Sequence, residues 1–422
     1  MYRMILAMLL LGSQLLVAGL TESLSGRVID GRTLQPISDA IVTLGGSTAR
    51  TGTDGTFTIR GSSAQLGVRA YGYTRTSLTL DALGRAEGQV TLQPFKPKAL
   101  YLTSLGIASR VLRDGALDIE EHTEVNALVI DVKGDRGLVA FASTTPLAIV
   151  VGAEHSPTIA SLKELTDSLH AKGIYCIARL VTFKDNVLAG ARPDLAVKTR
   201  EGYTWTDREH LAWTDPFLRE VWEYNIDLAI EAARAGFDEI QFDYVRFPDV
   251  PGLLFSGVSD ADRRVAAISG FLELAHQRLA PYNVFLSADI FGYACWNLDD
   301  TGIGQTLADL LPHVDYLSPM LYPSTFQFGI PGYRDPVAHP NELVYKSLQR
   351  ALERTKVSPL RFRPWLQAFR DYAYDRREFG GTEVRAQISA TEQAGTNGWM
   401  LWNPRNVYSA QGLAPKPAQS AR

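Results

Sequence analysis

From residue 99 onward, short apolar runs alternate with longer segments whose apolar residues recur every three or four positions. The first pattern is typical of strands buried on both faces, and the second is typical of amphipathic helices. The strand-like runs are 99–103, 127–132, 174–180, 239–247, 285–291, 316–322, 362–369 and 398–402. Eight such units match a (β/α)8 TIM barrel, whereas doubly wound sheets have fewer strands. We therefore predict a TIM barrel over residues 99–410.

Residues 24–94 have a different pattern, in which brief runs of alternating polar and apolar residues are separated by Asp-Gly and Gly-Gly turns. This spacing predicts a small all-β sandwich. The sequence GRVIDGRTLQPISDAIVTL, followed by TGTDGTFTI, resembles the carboxypeptidase regulatory-like domain, a transthyretin-like sandwich. That resemblance implies a spacer or docking role. The proline- and lysine-rich residues 95–98 are predicted to link the sandwich to the barrel.

The two ends of the chain differ from the rest. Arg3 precedes an apolar run over residues 4–20, and small residues stand near the end of this run, at 17–19. This is the pattern of a signal peptide. We predict cleavage after residues 1–23 and export to the periplasm or the extracellular space, with an uncleaved anchor as the alternative. Residues 411–422 are predicted to form a disordered tail.

Composition and charge exclude some classes of binding partner. The 422 residues are 45% hydrophobic and carry a net charge of −4 without a long basic run, so nucleic acid and anionic membrane surfaces are not expected partners. After signal cleavage, no stable membrane insertion is expected. The oligomeric state is left open.

Redox, metal and nucleotide chemistry lack their usual motifs. Cys176 and Cys295 form no CxxC pair and lie in separate strand-like runs, so two buried thiols are expected and a disulfide is the alternative. The seven histidines show no HxH or HExxH spacing. The chain also has no GxGxxG fingerprint and no P-loop, so we expect neither a catalytic metal nor a cofactor.

Carboxylates occur on the inward register of the fourth and fifth barrel strands. Ile240, Phe242 and Tyr244 suit the helix layer, which turns Asp243 into the barrel near its mouth. The same alternation turns Asp289 inward, next to Asp243. Two neighbouring carboxyl groups repel when both are charged, so one pKa should rise, as an acid paired with a nucleophile or base requires. A structural ion pair is the alternative for each.

The second and third strands add charged groups at the same barrel end. Asp131 and Lys133 share one register and are predicted to point inward, where they contact substrate hydroxyls or pair with each other. Arg179 at the end of the third strand is predicted to orient a neighbouring aspartate.

The last three strands end in aromatic and amide side chains. Such groups bind sugars by ring stacking and hydrogen bonding, although core packing is the alternative for each ring. The predicted substrate-binding residues here are Tyr322, Trp365, Gln367, Trp402 and Asn403.

Several segments together resemble the bacterial glycosyl hydrolase family that began as a domain of unknown function. They are NALVIDVKGDRG, GIYCIARLVTFKD, FDEIQFDYVRFP, LSADIFGYACW, DYLSPMLYPS and GWMLWNP. The family is distantly similar to α-amylase-like and α-galactosidase-like barrels, and this resemblance implies that Asp243 is the nucleophile. Gln241 stands where amylase-type enzymes have arginine, and Asp289 stands where they have a glutamic acid. Asp131 therefore remains an alternative general acid.

The sequence thus predicts an exported glycoside hydrolase that acts on an oligo- or polysaccharide by a two-carboxylate mechanism. Asp243 would act as nucleophile or stabiliser and Asp289 as acid. A barrel that binds polysaccharide without cleaving it is the main alternative. Another carbohydrate-active enzyme, such as a transglycosidase, is a further one.

Overall fold

The N-terminal region forms two small β-sheets packed on a shared apolar core. The computed structural model describes residues 22–80 and 88–416. One sheet has the order β4-β1-β7 and the other β3-β2-β5-β6. The strands are β1 Glu22–Asp30, β2 Ile41–Leu44, β3 Ser47–Arg50, β4 Thr56–Gly61, β5 Gln65–Arg69, β6 Thr76–Thr79 and β7 Gln89–Leu92. The predicted all-β region is confirmed, while the predicted signal peptide lies outside the described residues except where β1 begins.

Eight parallel strands close into a barrel in which each strand pairs with the next one along the chain, and the last pairs with the first. They are β8 Lys98–Leu102, β9 Ala127–Lys133, β10 Tyr175–Val181, β11 Glu239–Asp243, β12 Phe285–Phe291, β13 Tyr316–Met320, β14 Trp365–Gln367 and β15 Trp399–Trp402. The predicted TIM barrel is confirmed.

Helices cover the outside of this barrel. They are α1 Ser104–Ala108, α2 Arg110–His122, α3 Pro146–Val151, α4 Leu162–His170, α5 Asn186–Ala191, α6 Arg219–Arg234, α7 Ala261–Leu279, α8 Leu307–Leu310, α9 Pro340–Thr355 and α10 Gly381–Ala394. None of those in the described residues has the length and apolar character needed to cross a bilayer.

The inward and outward faces of the strands follow the predicted alternation. On β11, the Phe242 ring packs against Phe271 of α7 with centroids 4.9 Å apart, whereas Gln241 donates to Ser318 Oγ across the barrel interior at 3.2 Å. Below them, Arg363 donates to both carboxylate oxygens of Glu239 at 2.8 and 2.7 Å, and both side chains are fully buried. This buried pair joins β11 to the segment preceding β14 and fixes the barrel interior beneath the mouth.

The sandwich docks on the end of the barrel where the strands begin. Arg69 on β5 pairs with Asp315 just before β13 at 3.5 Å, and both side chains are buried. Arg75 pairs with Asp238 just before β11 at 3.1 Å. The sandwich therefore lies opposite the carboxyl ends of the strands, where TIM barrels place their active sites.

Two further expectations concern the cysteines and the C-terminal residues. Cys176 and Cys295 are both free and buried, as expected. Residues 411–416, expected in a disordered tail, instead pack against the barrel, where Lys416 Nζ lies 2.6 Å from Glu120 Oε1. Residues 417–422 lie outside the described part of the chain.

Candidate active site

Three carboxyl groups surround one guanidinium group at the mouth of the barrel. Arg179, on β10, donates from Nη1 to Asp131 Oδ1 at 2.6 Å and from Nε to Asp243 Oδ2 at 3.0 Å. Its Nε also lies 3.9 Å from Asp289 Oδ2. The structure thus brings together four of the five charged residues that the sequence placed on the inward register of β9 to β12, the exception being Lys133. Arg179 pairs with Asp131 and Asp243 at once, which orients both carboxylates.

The charges of this cluster do not balance if all four groups are ionised. Burial opposes the charge of Arg179, but the charges of Asp131 and Asp243 outweigh it and hold the pKa of the guanidinium well above its usual range. One positive charge then faces three carboxyl groups in a site of low exposure. Such an excess is relieved when a carboxyl group keeps its proton.

Asp289 is the carboxyl group best suited to keep a proton. Its side chain is 1% exposed, and its pKa is raised well above the usual value by burial and then by the negative charge of Asp243. Trp365 Nε1 donates to Oδ1 at 2.8 Å, while Oδ2 has no hydrogen-bond partner among the described residues. Oδ2 is therefore the oxygen on which a transferable proton can reside.

Asp243 is fixed from two sides. Oδ2 accepts from Arg179, and Oδ1 accepts from the backbone N–H of Tyr244 at 2.6 Å. Tyr244 has a φ of 49°, in the left-handed region that a side chain with a Cβ rarely adopts. This turn ends β11, and Tyr244 both lines the cavity at the mouth and packs against the core shared with the helices. Strain next to a fixed carboxylate is a frequent feature of active sites.

Asp131 faces the main cavity of the mouth, which has a volume of about 600 Å³. Arg179, Tyr101 and Trp402 also line it. Tyr101 donates its phenolic proton to Asp131 Oδ2 at 2.5 Å. Burial raises the pKa of Asp131, although the charge of Arg179 opposes the rise. The sequence analysis did not predict Tyr101 as a site residue. Its spacing of two residues from Ala99 places both side chains on the inward face of β8, and this spacing could have identified it.

The structure corrects the expected inward position of Lys133. The pairing of β9 with β10 shifts by one residue after Asp131, so that Lys133 stands opposite Leu180 and turns to the helix side. Its ammonium group is fully buried, 2.8 Å from Asp185 Oδ2 and 3.0 Å from Asn225 Oδ1. Lys133 does not line the cavity, and it pairs with Asp185 and not with Asp131.

The predicted aromatic residues lie around the charged cluster. Trp402 stacks on Tyr101 with centroids 3.9 Å apart and planes at 14°, and the Arg179 guanidinium lies 4.9 Å from its ring centroid. Trp365 contacts Asp289, as described above. Tyr322, just past β13, is buried, and the charges of Asp289 and Asp243 follow burial in raising its phenol pKa. These rings form the walls around the carboxyl groups.

The two predicted amides bind the protein's own loops. Gln367 is fully buried, accepts from Ser324 N at 3.0 Å and donates to Ser324 Oγ at 2.7 Å. Asn403 donates to the carbonyl oxygens of Ala368 and Val407 at 2.7 and 2.8 Å. Both amides therefore shape the loops after β13, β14 and β15, and their polar atoms are used within the chain.

One group of possible metal ligands occurs in the described part of the chain, formed by His170, Cys176 and Asp238. It lies at the end of the barrel where the sandwich docks. Asp238 there accepts from Arg75 Nε at 3.1 Å and bonds His170 Nε2 at 2.8 Å. A cationic arginine on the same carboxylate disfavours a bound cation, so we read this group as part of the domain contact.

Comparison with known proteins assigns the barrel region of the chain to a family. The family model described as "Putative glycosyl hydrolase domain" matches residues 99–408. A search of curated proteins finds no match.

Solved structures give three likenesses of interest. A hypothetical protein from Ruminiclostridium thermocellum ATCC 27405 is 38% identical, covering 45% of this chain and 96% of its own, with a TM-score of 0.41. The glycoside hydrolase domain of PgaB (BpsB) from Bordetella bronchiseptica is 13% identical, covering 74% and 95%, with a TM-score of 0.51. A GH18 chitinase from Pseudoalteromonas aurantia is 11% identical, covering 72% and 93%, with a TM-score of 0.42. The Bordetella domain shares the barrel fold.

Proposed function

The chain belongs to this glycosyl hydrolase family, and we propose that it hydrolyses O-glycosidic bonds in an oligo- or polysaccharide with Asp243 and Asp289 as the reacting carboxyl groups. The observation that carries the proposal is the asymmetry of the pair. Arg179 holds the Asp243 carboxylate by hydrogen bonds, whereas Asp289 is desolvated beside it with Oδ2 unbonded. Two carboxyl groups in such contrasting surroundings suit an acid and a nucleophile.

In this mechanism, Asp289 donates its Oδ2 proton to the glycosidic oxygen as the bond from that oxygen to the anomeric carbon breaks. Asp243 stabilises the positive charge that develops on the sugar ring, either through space or by forming a covalent bond to the anomeric carbon. Water then attacks that carbon, and the proton it loses returns to Asp289. The atoms balance, because one water is consumed and two hydroxyl-bearing sugars are released.

Asp131 is the second candidate for the acid, since it lines the cavity and burial raises its pKa. Its two oxygens already accept from Arg179 and Tyr101, which favours a charged, orienting role. Asp289 lies deeper, outside the cavity lining, yet its buried Oδ2 is unbonded among the described residues, which makes Asp289 the preferred acid.

The first experiment screens the purified protein for reducing-end release from polysaccharides and for cleavage of dinitrophenyl glycosides. Asp243→Asn should lower kcat/KM by about a thousandfold or more. Asp167→Asn, on the exposed side of α4, is the matched control and should be fully active. An Asp243→Asn enzyme of normal activity would overturn the proposal.

A second experiment identifies the acid. Dinitrophenolate leaves without protonation, so an acid variant loses activity on natural sugars but retains it on dinitrophenyl glycosides. We expect that signature for Asp289→Asn and a loss on both substrates for Asp131→Asn. The reverse result would assign the acid to Asp131.

Non-catalytic binding is the remaining alternative. It predicts that the wild-type protein binds a polysaccharide without releasing reducing ends, and that Asp243→Asn changes nothing. The proposed place of action is outside the cytoplasm, in the periplasm or beyond the cell, because of the residue 1–23 pattern. Sequencing the N-terminus of the protein recovered from that compartment tests cleavage.

A further inference from the structure

Three aromatic rings, each in contact with the next, lead from the neighbourhood of the reacting carboxyl groups to the rim of the barrel. Tyr322, just past β13, packs edge-on against Phe369 with ring centroids 5.6 Å apart and planes at 72°. Phe369, just past β14, lies parallel to Tyr372, with centroids 6.3 Å apart and planes at 12°. We call Tyr322, Phe369 and Tyr372 the aromatic path.

Exposure increases along the aromatic path. Tyr322 is 7% exposed, and after burial the negative charges of Asp289 and Asp243 raise the pKa of its phenol. Phe369 is half-buried, and Tyr372 is 50% exposed. An exposed ring beside a half-buried ring gives an apolar surface at the rim of the mouth, and apolar surface next to a polar cleft is suited to binding a ligand.

The loop that carries Tyr372 is held in place by a buried carboxylate. Asp371 accepts from Ser324 Oγ at 2.6 Å and from the backbone N–H groups of Tyr374 and Arg376 at 2.8 and 2.9 Å. A ring on a loop fixed in this way loses little freedom when a ligand binds. The hydrogen bonds of Asp371 therefore keep the ring of Tyr372 exposed.

The aromatic path begins across the mouth from Asp131 and ends beside another part of the cavity lining. β13 stands opposite β9 in the eight-strand ring, so Tyr322 and the cavity-lining Asp131 approach the centre from opposite sides. Asp243 and Asp289 lie at the ends of β11 and β12, between these two sides. Phe369 and Tyr372 follow β14, the neighbour of β15, and Trp402 at the end of β15 lines the cavity, so the exposed end of the aromatic path adjoins the cavity at this part of the mouth.

We infer that the aromatic path is a second sugar-binding segment, and that the site holds a chain of several sugars that occupies both the cavity and the path. The inference rests on the proposed function. The faces of pyranose rings present C–H groups that pack on aromatic rings, and the parallel rings of Phe369 and Tyr372 offer successive stacking surfaces. The ligand class is therefore a chain of pyranose rings.

The test measures binding separately from cleavage. Asp243→Asn protein is run in native gels that contain glycol chitin, partly acetylated chitosan, soluble starch, xylan or dextran, and retardation gives the affinity. Tyr372→Ala in the same background should weaken binding of the retarding polysaccharide by about two- to tenfold. Leu34→Ala is the control, because it removes an exposed apolar side chain from the sandwich, at the opposite end of the barrel.

Thermal melting shows that each variant is folded, and Tyr372→Phe, which keeps the ring, should restore binding. Retardation that Tyr372→Ala reduces would support the path even if no hydrolysis is found, which separates it from the proposed function. Absence of retardation by all five polysaccharides would overturn it. Retardation that is equal in the Asp243→Asn protein and the Tyr372→Ala double variant would also overturn it, whether or not glycosides are hydrolysed.

Discussion

The indole Nε1 of Trp365 donates a hydrogen bond to Oδ1 of Asp289 over 2.8 Å. The sequence indicated that each residue faces the barrel mouth but did not pair them. The bond stabilises the charged form of a carboxyl group whose pKa burial and Asp243 otherwise raise. Trp365 therefore limits how far that pKa rises, which is a positioning and tuning role.

Replacing Trp365 by phenylalanine should shift the pH dependence of hydrolysis. Loss of the hydrogen bond removes support for the charged form, so the pKa of Asp289 rises further. Because the acid must be protonated to act, the alkaline limb of the kcat/KM profile should move to higher pH. Trp399→Phe is the control, because its buried indole N–H has no partner among the described residues. An unmoved limb in Trp365→Phe would argue against Asp289 as the acid.

Asp289→Asn should be inactive on natural sugars yet more stable than the wild type at neutral pH. The pKa of Asp289 is higher in the folded protein than in the unfolded chain, so folding favours the protonated carboxyl group. This contribution to the free energy of unfolding is complete below the unfolded pKa of about 3.9, and it is lost as the pH rises. The amide removes this cost, so we expect a gain of about 0.5–2 kcal/mol at pH 7 that vanishes near pH 4. Denaturant unfolding at several pH values measures it.

Asp315→Asn provides the opposite case. This buried carboxylate accepts from Leu286 N at 2.8 Å and pairs with Arg69. The same substitution there should destabilise the protein. Destabilisation of equal size in both variants would contradict the special environment of Asp289.

Lys133→Met should destabilise the protein by about 3–5 kcal/mol, because it leaves Asp185 buried without its ion pair. Since Lys133 does not line the cavity, KM measured on the folded fraction should stay unchanged. Lys163→Met removes an exposed ion pair with Asp167 and should have little effect on stability. A rise in KM with normal stability would restore the substrate-contact role first expected for Lys133.

Arg69→Met should loosen the sandwich from the barrel. Its guanidinium is buried at the domain contact, so its removal leaves Asp315 uncompensated and should cost about 3–5 kcal/mol. Limited proteolysis should then cut near residues 93–98 faster than in the wild type. Arg60→Met, at an exposed position of β4, is the control. Equal cleavage rates would show that the ion pair does not hold the sandwich in place.

The sequence by itself determined the barrel and most of its charged mouth. Strand periodicity is local, so the alternation of apolar residues in β11 and β12 was enough to turn Asp243 and Asp289 inward, and the same held for Arg179. Closure of eight parallel strands then brings their carboxyl ends together without further information.

Tertiary structure decided the details that alternation does not carry. The one-residue shift between β9 and β10 turned Lys133 to the helices, because a bulge depends on the pairing of two strands and leaves no mark in the pattern of one. The bonds of Tyr101 to Asp131 and of Trp365 to Asp289 join strands distant in sequence. Which carboxyl group keeps its proton follows from burial and neighbouring charge, and both exist only once the barrel has closed.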